Sequence, residues 1–106
     1  MHSKIVEILE KLNIDIGWQE YKEKAKEYIV FNIYNDEESS FYDNENLSET
    51  YYITINYWYV SKSNINKWKE IRKLMKENNF IYDGGKDLKE GNLYGKSMDY
   101  IYQEII

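Results

Sequence analysis

The sequence predicts an α+β domain, with two helices packed on one face of a mostly antiparallel sheet of four or five strands. Three observations carry this prediction. Two segments, at residues 3–13 and 64–78, repeat apolar residues at helical spacing. Several others alternate apolar and polar residues as strands do. The clearest of these is Glu49-Thr50-Tyr51-Tyr52-Ile53-Thr54-Ile55-Asn56-Tyr57-Trp58-Tyr59-Val60. There Tyr51, Ile53, Ile55, Tyr57 and Tyr59 share one face and should meet the core. Tyr52, Thr54, Asn56, Trp58 and Val60 share the other, where large aromatics stand beside polar groups, a mixture that suits contact with another protein.

Taken in order, Ile5, Ile8, Leu9 and Leu12 make the apolar stripe of the first helix. Ser3 is its expected cap and Asn13 its expected end. In residues 14–26, Ile14, Ile16 and Trp18 alternate like a short strand, whereas Trp18, Tyr21 and Ala25 could share a helix side. A short strand followed by a charged connection is the preferred reading. Residues 28–34 form a clearer strand, with Ile29, Phe31 and Ile33 on its apolar face.

Residues 35–49 hold Asp36, Glu37, Glu38, Asp43, Glu45 and Glu49 without any Lys or Arg, and read as a long solvated loop. After the aromatic strand, Ile65, Trp68, Ile71, Leu74 and Met75 form the stripe of the second helix. Ser63 or Asn64 should cap its start, and Asn78-Asn79 suits its end. Phe80-Ile81-Tyr82 should be a short strand closed by the turn signal Asp83-Gly84-Gly85. A second turn, Lys89-Glu90-Gly91-Asn92, leads to a last strand in which Met98, Tyr100 and Tyr102 alternate with Ser97, Asp99, Ile101 and Gln103. The expected core is Ile5, Leu9, Leu12, Ile29, Phe31, Ile33, Ile53, Ile55, Trp68, Ile71, Leu74 and Met75.

Composition narrows the function classes. The 106 residues suit one domain with a modest core. A net charge of −5 makes general nucleic-acid binding unfavourable, since phosphates are repelled. The absence of Cys removes disulfides, thiolate catalysis and cysteine metal sites. The opening residues meet charge early and hold no apolar run of signal-peptide length, and no stretch approaches a membrane span. A soluble protein made inside the cell is therefore expected.

Catalysis finds little support. His2 is the one histidine, and the serines have no histidine base to complete a triad. No carboxylate pair is framed for acid–base work, and no catalytic residue, cofactor or metal is expected. Asp36, Glu38, Asp43 and Glu45 are hard oxygen ligands, yet their spacing lacks the pattern and glycine of a calcium loop. A solvated loop is the preferred reading. Another use is contact between copies, the acidic loop meeting the basic stripe Lys67, Lys69, Arg72, Lys73 and Lys76 of a neighbour's helix. The 12 Tyr are too many for one sheet face to hide, so some should be exposed or covered by a partner. Stacking on single-stranded nucleic acid is the rival use, opposed by the negative charge and by a single arginine, Arg72.

The order of these pieces resembles the tail terminator and tail completion proteins of long-tailed bacteriophages, notably those of Gram-positive hosts. Tyr28-Ile29-Val30-Phe31 is similar to a strand of that family, with Glu27 where Pro is usual. Phe41-Tyr42-Asp43-Asn44 resembles a segment of its first long loop, and residues 51–58 its long strand before a helix. Gly84-Gly85-Lys86-Asp87-Leu88 and Leu93-Tyr94-Gly95-Lys96-Ser97-Met98 resemble its closing passage. The likeness runs from Ile5 to Tyr102 and resides in the order of short motifs.

The resemblance implies a non-catalytic virion protein that forms a ring, commonly hexameric, on the head-proximal end of the tail tube. It implies contacts with other copies, the tail-tube protein and the head-side connector or stopper, and assembly in the bacterial cytoplasm without a membrane. DNA would only pass through the lumen, where an acidic lining keeps it from sticking. The expected contact residues are Asp36, Glu37, Glu38, Asp43, Asn44 and Glu45 of the loop, Tyr52, Asn56 and Trp58 of the outer face, and Lys69, Arg72, Lys73 and Lys76 of the helix. The alternative is a small acidic regulatory or inhibitory protein that binds a basic partner.

Overall fold

In the computed structural model, residues 1–20, 25–41 and 46–105 are described, those at 39–41, 46 and 47 by their backbone alone. Helix α1 (His2–Leu9) leads into strand β1 (Asp15–Trp18), and the long strands β2 (Glu27–Phe41) and β3 (Asn46–Tyr59) follow. Helix α2 (Trp68–Glu77) then precedes β4 (Ile81–Glu90) and β5 (Leu93–Ile105). The strands form a single sheet in the order β1-β2-β3-β5-β4. Among the described residues, only the β1–β2 pairing is parallel. The α+β architecture expected from the periodicities is the one observed.

Both helices cover the same sheet face. Ile5, Ile8 and Leu9 of α1 and Ile71 and Met75 of α2 join Ile29, Phe31, Ile53, Ile55, Tyr57, Met98 and Tyr100 in one core. Eight of the twelve expected core residues are buried. Leu12, Ile33, Trp68 and Leu74 are half-buried at its rim, because each sits where helix or sheet runs past its cover. Tyr59, on the face expected to meet the core, and Tyr100 are both buried, since the inner-face alternation carries them under the helices.

The helix ends differ from expectation in one respect. Met1 and Lys67, not Ser3 and Ser63 or Asn64, stand at the N-caps of α1 and α2, and neither cap makes a side-chain hydrogen bond. Ser61 instead accepts from the Ser63 N–H and opens a separate 3-10 turn, so the α-helical run begins only at Trp68. The asparagine ends match. Asn13 takes the left-handed conformation at φ 55°, and Asn78 Nδ2 donates to the Leu74 carbonyl at 2.8 Å before Asn79 turns left-handed at φ 71°.

Two loop expectations are overturned. The acidic stretch is not a long loop: through Phe41 and from Asn46 its backbone belongs to β2 and β3, paired from Asn35↔Tyr52 to Phe41↔Asn46. Acidic residues have low strand propensity, but the ladder overrides it. On its other side, β3 is paired with β5 as far as Ser48↔Ile105, so three strands extend together as an arm. The molecule is correspondingly long, at 53 × 24 × 23 Å. Asp83-Gly84-Gly85 is likewise no strand-ending turn. It lies in a register shift between Tyr82 and Gly85 within the continuous β4, with Gly84 at φ +103°. The Gly91-Asn92 turn between β4 and β5 is where the sequence places it.

Candidate functional site

The β3 face opposite the helices is the candidate site. Val60 lies past the end of β3, but Tyr52, Thr54, Asn56 and Trp58 all lie on this face, half-buried although no helix of the described residues covers that side. Cross-strand neighbours shelter them. Trp58 stands between Tyr28 and Gly95, Asn56 between Val30 and Ser97, Thr54 between Asn32 and Asp99.

At the centre the face is polar. Thr54 Oγ1 donates to Asp99 Oδ1 at 2.8 Å. Two adjoining hollows meet at Thr54. One, of about 410 Å³, is lined by Gln19, Val30, Phe31, Asn32, Thr54 and Asn56. The other, of about 370 Å³, is lined by Tyr34, Thr54, Lys86, Ser97 and Asp99. The Asn56 Oδ1 atom is shielded from water and has no hydrogen-bond partner among the described residues. An orphaned acceptor of this kind costs about 1–3 kcal/mol.

Aromatics close both ends of this strip. Tyr34 and Tyr52 lie 6.0 Å apart at one end. At the other, Trp58 lies over Gly95, where a Cβ would come within 2.7 Å of the indole Cε3. The missing side chain makes room for the ring, so part of the burial of Trp58 arises within its own sheet. Tyr52 and Asn56 are therefore cleaner probes of a partner.

On the arm, Asp36, Glu37 and Glu38 are exposed. Tyr52 OH donates a long hydrogen bond to Glu37 Oε2 at 3.5 Å, which links the outer face to the arm. The register sets Glu38 opposite Glu49, and Glu49 opposite Glu104, in a row across three strands. Tyr51 OH lies 3.1 Å from Glu49 and 3.3 Å from Glu104, and its one proton serves one carboxylate at a time. Asp43, Asn44 and Glu45 lie outside the described residues. The basic residues Lys69, Arg72, Lys73 and Lys76 line a groove of about 410 Å³ on α2, with Glu77. Among the described residues, no ion pair joins this face to the arm.

Sequence reasoning passed over Gln19, Asn32, Lys86 and Asp99. Alternation in the last strand already opposed Asp99 to Met98 and Tyr100, but only the register brings it to Thr54. Among the described residues, no group of three or more His, Cys, Asp or Glu side chains is placed to hold a metal ion. Within them, too, no helix is long and apolar enough to cross a membrane.

Several tyrosines couple the fold to alkaline pH. Partial burial, then the hydrogen bond to Glu49, pushes the Tyr51 phenol from 10.0 up to about 12. Burial likewise raises Tyr100, and burial with the Glu27 hydrogen bond raises Tyr57. Each raised value means that the folded state holds its proton more tightly. The associated stability is complete below pH 10 and is lost as pH rises, for Tyr51 between about 10 and 12. Alkaline unfolding should therefore coincide with tyrosinate absorbance, and Tyr51→Phe should flatten the pH dependence between 10 and 12. An unchanged slope in that variant contradicts the assignment.

Comparison with known protein families and with curated proteins finds no family and no relative that matches this chain.

Proposed function

We propose that this chain is a non-catalytic structural protein that works by contact with copies of itself and with neighbouring proteins. The observation that carries the reading is the sheet face that no helix of the described residues covers, with Tyr52, Asn56 and Trp58 half-buried on it. A face with sheltered aromatics at both ends and polar groups at its centre has the features of a contact surface. Two helices on one side of a mostly antiparallel sheet, together with the motif order read from the sequence, support a specific form of this role. That form is a phage tail terminator or tail completion protein, a ring that caps the tail tube and joins it to the head connector.

Purified protein, with and without its adjacent tail-tube protein, is expected to form rings by light scattering and to cap tubes in electron micrographs. Failure to do either in any condition overturns the terminator reading. Asn56→Leu and Tyr52→Ala separate contact from folding. Both should weaken association about tenfold or more while shifting the folding midpoint little, since Asn56→Leu also removes an unsatisfied buried acceptor. Loss of folding with association intact would return the face to an internal role. The glutamate row on the arm favours a second reading, an acidic binding protein for a basic partner, which a monomer unaffected by the tube protein would support.

A further inference from the structure

We infer that the basic face of α2 is a docking surface for the acidic arm of a second copy of this chain. The inference rests on the self-assembling reading above and adds where the copies meet. Trp68, half-buried at the start of α2, gathers three cations around one indole. Lys96 Nζ lies 4.3 Å from the ring centroid, the Arg72 guanidinium 4.7 Å and Lys69 Nζ 5.9 Å. Lys73 and Lys76 continue the positive face along the helix. Lys69, Arg72, Lys73 and Lys76 form no ion pair among the described residues. Lys96 has only Asp87, at 3.8 Å, and that carboxylate is 92% exposed.

A chain of net charge −5 thus gathers five cations on this face, with Asp87 at 3.8 Å from Lys96 and Glu77 beside the α2 cations. The indole is already engaged by these cations, which disfavours base stacking of the kind that single-stranded nucleic-acid sites use. The face is suited to receive negative charge rather than a base. The anionic surface that complements it is on the same chain. Glu38, Glu49 and Glu104 lie side by side across three strands, and Asp36 follows on the same face. Like charges directly opposite one another destabilise a sheet, and a cationic partner relieves that repulsion. Because each copy carries one surface of each sign, the contact can repeat head-to-tail, giving a ring where the rotation closes and a filament where it does not.

Charge reversal tests this on the full chain, using exposed residues that make neither the Trp68 cation contacts nor the Tyr51 hydrogen bonds. Lys73→Glu with Lys76→Glu reverses the helix face, and Glu38→Lys with Asp36→Lys reverses the arm. Each pair should lower self-association in sedimentation equilibrium roughly tenfold or more, because like charges then face each other. Circular dichroism melts should stay near those of the unmodified protein. Mixing the two variants should restore association, since each contact between unlike variants is then complementary, one unmodified and the other fully reversed. Unchanged association in either variant, or no recovery on mixing, overturns the proposal. Binding of a single-stranded oligonucleotide that the helix variant loses while keeping self-association would assign the face to nucleic acid instead. Tube capping is scored separately. Charge-dependent association without capping sinks the terminator reading and leaves the docking contact standing; capping by charge-reversed protein does the opposite.

Discussion

Replacing Tyr57 by Ala is expected to remove about 3–5 kcal/mol of folding stability, the range for deleting a large buried aromatic side chain. Tyr57 is fully buried and stacks on Tyr59 with ring centroids 5.3 Å apart. Its hydroxyl donates to the Glu27 carboxylate, which also meets Lys67 Nζ at 2.9 Å. The residue therefore ties the start of β2 to β3 and, through Glu27, to the approach to α2. Tyr57→Phe isolates the polar part. It keeps the volume and removes one partner from Glu27, at a cost of about 1–3 kcal/mol. Urea unfolding reads both, as a lower midpoint with an unchanged slope. A Tyr57→Ala protein within about 1 kcal/mol of the parent would contradict this account, because most large-to-small core changes cost more.

Gly85→Ala should be the costliest of the glycine changes, at about 1–3 kcal/mol, as an overpacked site that cannot relax by moving a side chain alone. A Cβ there would lie 2.5 Å from the Ser97 carbonyl oxygen and 2.6 Å from the Tyr82 hydroxyl. The tyrosine tip can swing away. The carbonyl belongs to the β5 backbone and cannot move without shifting the ladder. Gly91→Ala is the control, since a Cβ there meets nothing within 4 Å and feels only the positive φ of +58°. Thermal melts of both variants decide the point: equal melting temperatures would mean that β4 and β5 do not approach closely at Gly85.

How far the structure was legible follows from which residues speak locally. Ile53, Ile55, Tyr57 and Tyr59 announce a core-facing strand because a period of two survives any register. Ile71 and Met75 announce a helix in the same way. Asp36, Glu37 and Glu38 could not announce a strand, since their own preference is against it and the ladder that overrides it comes from β3 and β5. Register was equally hidden. The shift between Ile33 and Asn35 decides that Asp36 and Glu38, and not Asn35 and Glu37, share the core-side face with Ile33. The outer face was identified from Tyr52, Asn56 and Trp58. Its hydrogen-bonding centre at Thr54 and Asp99 required two strands separated by 45 residues to meet. The capture of Lys96 by Trp68 lies beyond sequence for the same reason.

The strand order has a kinetic consequence. β5 follows every other element in the chain, yet it occupies a place inside the sheet, between β3 and β4. During synthesis β3 is thus available to β2 long before its second neighbour emerges. For that interval the most aromatic strand of the protein presents a bare edge of backbone donors and acceptors. Pairings of such long sequence separation close slowly, and open hydrophobic edges are where nascent chains go astray. The nascent protein is therefore most vulnerable at the strand that later lies at its centre, and insertion of β5 is the event that ends this exposure.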